Sequence, residues 1–293
     1  VMTIAPDTVL FANGAQRVTA GDLLRTLRDL GVRPGDLLFL HTDLLRFGRP
    51  APELMRVRGA LFDALIAVLR EAIGPQGTLM MLTLSTRTLD IGRFDVERTP
   101  GEAGALTEHF RRLPGVRRIP HPTHSAAVEG PRTDLFMHPP VHPFGAGSLF
   151  DHLKREGGKL LFLGADFHWC TFNHHIETML PVRYRREERV PMTIVRDGAE
   201  ERGEAIRFRK PARYWTSFAR FRAALLERGI LRERPLGRGI VSVSDAMAQF
   251  ELGTELLRRD QRYFMNVQPW GRFMLFKAKE RAGRLLRALG LRR

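Results

Sequence analysis

Two groups of histidines mark where this sequence could do chemistry. The first is His121-Pro-Thr-His124-Ser125, which follows Arg117-Arg118. Pro120 and Pro122 flank His121 and restrict its backbone. The second is Asn173-His174-His175-Ile176-Glu177. On a helix His174 and Glu177, spaced i,i+3, share one face. A carboxylate beside an imidazole fixes its tautomer and raises its basicity. Those are the properties a general base needs when it takes a proton from an attacking nucleophile. The same residues admit two other readings. They could be packed or surface histidines, or His121, His124, His174 or His175, and Glu177 could ligate zinc. The zinc reading lacks a His-Glu-x-x-His motif or a cysteine pair. Cys170, the one cysteine, is a weak nucleophile candidate because a lone buried cysteine is usually inert packing. Pro143-Phe-Gly-Ala-Gly-Ser148 could present amides to a phosphate or a carbonyl oxygen. Its simpler reading is a helix N-cap by Ser148. No Walker motif or complete Gly-x-Gly-x-x-Gly fingerprint occurs.

These residues need a scaffold, and the hydrophobic pattern supplies one. Residues 19–30 predict an amphipathic helix with Leu23, Leu24, Leu27 and Leu30 on one stripe. Gly31 and Pro34-Gly35-Asp36 end it. The runs at 37–40, 78–84 and 160–163 read as buried strands. Helices are predicted over 58–73, 104–113, 149–155, 218–228 and 244–258. Short apolar strands alternating with helices predict an α/β domain whose sheet is covered on both faces. Between 185 and 210 the pattern becomes a charged alternation, which predicts an antiparallel hairpin added to that sheet. The last twenty residues predict a basic amphipathic helix. The expected organisation is one domain over 1–272, with its hairpin region near 183–212, followed by this helix at 273–293.

Charge and composition narrow the function classes. The 293 residues carry 47 basic and 32 acidic side chains, a net +15, and only five of the cations are lysines. Such a field attracts phosphates, carboxylates, nucleic acid or anionic lipid. The arginines are scattered and no nucleic-acid motif accompanies them, so no nucleic-acid partner is expected. A single cysteine excludes an internal disulfide and a cysteine-based zinc finger. No apolar run approaches the ~20 residues that cross a bilayer. No signal-peptide pattern opens the sequence, and the expected compartment is the cytoplasm. In the 273–293 helix Leu275, Ala278, Ala282, Leu285, Leu286 and Leu289 form one stripe opposite Lys277, Arg281, Arg284 and Arg287. That stripe would pack on the domain or rest peripherally on an anionic membrane.

Six motifs in order resemble the aminoglycoside 3-N-acetyltransferase family. They are LGVRPGDLLFLHTDLLRFG (30–48), GPQGTLMMLTLS (74–85), FDVERTPGEAGALTEHFRRLPGVRR (94–118), HPTHSAAVEGP (121–131), HPFGAGSLFDHLKREGGKLLFLGADF (142–167) and TFNHHIE (171–177). Leu82 and Val96 stand where the family usually has proline, and Asp43 where it has a hydroxyl residue. The resemblance implies a three-layer α/β/α sandwich with a central, mostly parallel or mixed sheet. It implies direct acetyl transfer from acetyl-CoA to an amine, with no metal. The implied catalytic residues are His174, Glu177 and His121. The implied acetyl-CoA contacts are Thr42, Asp43, Thr83, Ser85 and Ser125. The implied acceptor is an aminoglycoside-like amine or an amino sugar, with a nucleotide-linked one suiting the charge best. A non-catalytic basic protein of the same fold, bound to nucleic acid or membrane, is the competing reading.

Overall fold

The computed structural model describes residues 4–210, 214–267 and 274. The basic helix expected at 273–293 lies outside the described residues, apart from Met274. The core is a seven-stranded sheet in the order Leu231–Leu236, Gly239–Asp245, Lys159–Leu163, Leu37–Thr42, Thr78–Leu82, Ala126–Glu129, Arg117–Arg118. Leu37–Thr42 runs parallel to Thr78–Leu82 and to Lys159–Leu163, and the other pairings are antiparallel. The sheet is therefore mixed.

Both faces of the sheet are covered, which explains its continuous apolar runs. Leu38, Leu40, Leu79, Met81, Leu161 and Leu163 point into one core layer, against the helices Ala20–Asp29 and Ala60–Ile73. Leu37, Phe39, Met80, Leu82, Leu160 and Phe162 alternate with them and point into the opposite layer. The helices Leu149–Arg155, Ala219–Glu227 and Ala246–Arg259 pack there. Ala20–Asp29 starts at a capping box in which Thr19 and Asp22 satisfy each other's backbone N–H groups. Ser148 caps Leu149–Arg155 by accepting from the Asp151 N–H.

The hairpin is real, but it does not join the central sheet. Arg186–Arg196 pairs antiparallel with Ala199–Arg209 across an Asp197-Gly198 turn, where both φ angles are positive. Arg186–Arg196 then pairs parallel with Arg93–Asp95 to form a separate sheet. The physical reason is that both hairpin strands are charged and largely exposed. Met192, Val195, Ala205 and Ile206 are buried while most of its other residues meet solvent. Strands that expose most of their side chains cannot sit inside a sheet covered on both faces. The helix expected from 244 begins at Ala246, because 239–245 continues as strand and Asp245 provides the cap. Among the described residues no helix is long and apolar enough to cross a membrane.

Candidate active site

The helix Asn173–Met179 is pinned by Phe172 and Ile176, both fully buried. This leaves the His174 side chain 25% exposed and the Glu177 side chain completely enclosed. Glu177 is held from three directions. Its Oε1 accepts from the Tyr184 hydroxyl at 2.7 Å. Its Oε2 accepts from Arg185 Nε at 3.0 Å and Nη2 at 2.7 Å, and lies 2.6 Å from His174 Nδ1. Burial pushes the Glu177 carboxyl up, but His174, Arg185 and Tyr184 together outweigh it and hold the pKa below the ordinary value. The carboxylate is therefore ionised, and it favours the tautomer that donates the Nδ1 proton to it. Nε2 then carries the free lone pair and has no protein partner among the described residues. Rings form the walls around this imidazole: Phe144 at 5.3 Å, Phe208 at 6.0 Å and Phe218 at 6.0 Å between centroids.

The second histidine group is divided between two jobs. His121 is 3% exposed. Its Nδ1 accepts from the N–H groups of Thr123 (3.2 Å) and His124 (3.1 Å), and Nε2 donates to the Val141 carbonyl at 3.3 Å. Both nitrogens are spent on the backbone, and burial lowers its pKa to about 4. The geometry makes His121 a fastener of its loop, where the sequence pointed to a catalytic group. His124 is the residue turned to the centre. It packs edge-on against Phe144 at 4.6 Å, the same ring that His174 meets. Burial, then His121, His174 and His142, push its pKa well down. The sequence named His124 within a candidate histidine group and as a zinc ligand but gave it no catalytic role, because spacing alone does not show which way a loop imidazole turns.

Thr83, Ser85 and Ser125 do come together, but away from solvent. All three are fully buried. Ser125 Oγ lies 2.7 Å from Thr83 Oγ1 and 3.1 Å from Ser85 Oγ, and accepts from Arg118 Nη2 at 3.0 Å. Arg118 also donates to the carbonyls of Val96 and Thr99. The hydroxyls are thus engaged in tying the 121–125 loop to the end of Thr78–Leu82. Thr42 and Asp43 are both half-buried. The Asp43 carboxylate meets Arg46 at 3.3 Å, and its N–H donates to the Leu163 carbonyl.

A cavity of about 450 Å³ opens where the parallel strands Leu37–Thr42 and Lys159–Leu163 end. That is the usual place for a ligand in an α/β sheet. Arg46, Arg222 and Arg238 border it, with Gly164 and Phe218 in its wall. Gly164 has φ +74°, and a Cβ there would stand 2.4 Å from the Asp43 carbonyl oxygen, so glycine is required. Phe218 links this cavity to the His174–Glu177 pair, since its ring also packs on His174. Cys170 is buried, its thiol pushed up to about 12 mainly by burial, and it is no nucleophile at neutral pH. Among the described residues no three His, Cys, Asp or Glu side chains are grouped to hold a metal ion.

Residues 39–258 match the family model for aminoglycoside 3-N-acetyltransferases. The chain belongs to that family. It is 32% identical over 184 residues to aminoglycoside N(3)-acetyltransferase III of Salmonella sp, an alignment covering 56% of this chain and 62% of that protein. Thus the chain spans somewhat less than two thirds of that relative. Aminoglycoside N(3)-acetyltransferase IV of Salmonella sp is 30% identical over 256 residues, 85% of this chain and 91% of the relative. The fold is similar to the structure described as AAC-IIIb binary with CoASH. The TM-score is 0.71 at 25% identity, covering 82% of this chain and 96% of that one. The 39–258 match of this aminoglycoside 3-N-acetyltransferase family member includes His124, His174, Glu177, Tyr184 and Arg185. The strands Val9–Asn13 and Gln16–Thr19 and the helix Ala20–Asp29 precede it.

Proposed function

We propose that this chain is an acetyl-CoA-dependent N-acetyltransferase acting by direct transfer on an amino group of an aminoglycoside-like or amino-sugar acceptor. One observation carries the reading. A half-open imidazole, oriented by a buried carboxylate, shares the Phe218 wall with an arginine-bordered cavity. Acetyl-CoA supplies a thioester-activated acetyl group. Arg238 receives its phosphates, joined by Arg46 and Arg222 as they turn from Asp43 and Glu233, and Thr42 and Asp43 lie on the neighbouring loop. His174 Nε2 takes the proton of the amine as nitrogen bonds to the acetyl carbon. Glu177 stabilises the resulting imidazolium through Nδ1, and Arg185 and Tyr184 hold Glu177 in place. The imidazolium then returns its proton to the leaving sulfur. Holding both partners beside one base replaces a collision with a positioned attack. Thr83, Ser85, Ser125 and His121 take the supporting part of shaping the loop that carries His124. The two core layers share one sheet, which supports reading 1–272 as a single acetyltransferase unit.

Calorimetry with acetyl-CoA and a thiol-release assay across a panel of amines test this reading. Acetyl-CoA should bind and raise thermal stability, as any ligand selective for the folded state does. No binding at millimolar acetyl-CoA would overturn it.

A further inference from the structure

We propose that the acceptor carries an anionic group, such as a phosphate ester, and that this group binds in a second arginine-bordered cavity on the Tyr184 side of the His174–Glu177 pair. This inference rests on the acetyltransferase reading above and names its substrate class. The cavity holds about 480 Å³ and is bounded by Arg183, Tyr184, Arg186, Arg259, Asp260 and Arg262.

Its charge is not balanced. Arg259 pairs with Glu255 at 2.7 Å, and Asp260 pairs with Arg220 at 3.3 Å. Arg183, Arg186 and Arg262 make no ion pair among the described residues. Three guanidinium groups around one concavity repel each other until an anion enters. Their planar forks suit the oxygens of a phosphate, sulfate or carboxylate. A polycation would meet the opposite sign there, on a chain already at +15.

Position ties this cavity to the reaction. The run Arg183-Tyr184-Arg185-Arg186 divides between two tasks. Arg183 and Arg186 border the cavity, while Tyr184 and Arg185 bond Glu177. Tyr184 belongs to both, since it borders the cavity and donates its hydroxyl to Glu177 at 2.7 Å. An anion held here lies one side chain from the carboxylate that orients the base. The other arginine-bordered cavity, on the Phe218 side, remains for the donor.

Equilibrium calorimetry separates the possibilities, with glucosamine, glucosamine 6-phosphate and acetyl-CoA as probes. The proteins are the full chain and its Arg183→Ala/Arg262→Ala double variant. Both arginines are exposed, so the fold should survive their removal. The expected result is that the phosphorylated sugar binds the parent roughly tenfold or more tightly than glucosamine. The double variant should erase that preference and keep the parent affinity for acetyl-CoA. Equal affinity for the two sugars, no binding of either, or a preference that survives in the variant would overturn the inference while leaving the acetyltransferase reading intact. A fall in acetyl-CoA affinity in the variant would assign the cavity to the donor's phosphates and overturn it too. Absence of acetyl-CoA binding to the parent would remove both.

Discussion

His174 Nδ1 lies 2.6 Å from Glu177 Oε2, and the two side chains differ sharply in exposure, 25% against none. The His174 imidazole is open to solvent, while the carboxylate that orients it is sealed. Substitutions at the two positions should therefore behave differently. His174→Ala should lower amine acylation by ~10²–10⁴-fold with little change in melting temperature. Glu177→Ala should lower activity less directly and cost stability, because it leaves the Arg185 guanidinium, 8% exposed, without a counter-charge. Removing one partner of such a buried pair costs ~3–5 kcal/mol. Thiol release and thermal denaturation on both variants check this. Near-normal turnover in His174→Ala with loss in His121→Ala would reverse the roles.

Much of the scaffold was legible because its signals are local. The Leu23, Leu24, Leu27 stripe and the Leu37–Leu40 run state their environments directly. The strands Leu231–Leu236 and Ala126–Glu129 were missed for opposite reasons. The first is an edge strand whose Arg-Glu-Arg-Pro centre looks like loop, and the second is only four residues long. In the site, helical spacing revealed His174 and Glu177. Tyr184 and Arg185 were not legible, because they lie beyond the end of Asn173–Met179 and reach Glu177 only after the chain turns back. Motif order offered Thr83, Ser85 and Ser125 as acetyl-CoA contacts; that their hydroxyls meet one another in the interior was not legible, because burial is a tertiary property.

Cys170 offers a direct test of the burial around the helix Asn173–Met179. Its thiol is 1% exposed, accepts from Gln249 Nε2 at 3.4 Å, and is pushed up to about 12. Only the thiolate alkylates. Iodoacetamide at pH 8 should leave the folded protein unmodified for hours and label it quickly in denaturant, as read by intact mass. Rapid labelling of the folded protein would mean that the layer beneath Asn173–Met179 opens.

Arg118 should matter for stability and loop position together. Burial lowers its pKa to about 10, so it is still charged at neutral pH. It joins the 96–99 segment to Ser125. Arg118→Ala leaves these buried acceptors without their donor, at a cost of ~1–3 kcal/mol for each left unsatisfied. The melting temperature should fall. Turnover should fall as well, because the 121–125 loop carries His124 against Phe144. Retained stability in this variant would show that other donors take over at Ser125.

Acid should destabilise this protein earlier than carboxylate protonation alone predicts. Burial lowers the pKa values of His41 to about 3, and of His121 and His175 to about 4. In the unfolded chain each returns to about 6.5. Between those values the unfolded state binds protons that the native state refuses. Stability is thus full above about pH 6.5 and falls as the pH drops toward 4. One pH unit below the unfolded pKa, each such histidine costs roughly 1 kcal/mol. Asp151 and Glu177, whose pKa values are depressed, add their own losses only at lower pH. His41 isolates one share of the effect. It lies between Phe39 and Phe162, at 5.0 and 4.9 Å, and neither ring nitrogen has a partner among the described residues. His41→Phe fits that site and removes one titrating group. Urea denaturation at about pH 7.5 and pH 5.5 should show a clear loss of stability in the parent chain and a smaller loss in His41→Phe. Equal stability of the parent at both pH values would mean that these histidines accept protons in the folded state, contrary to their burial.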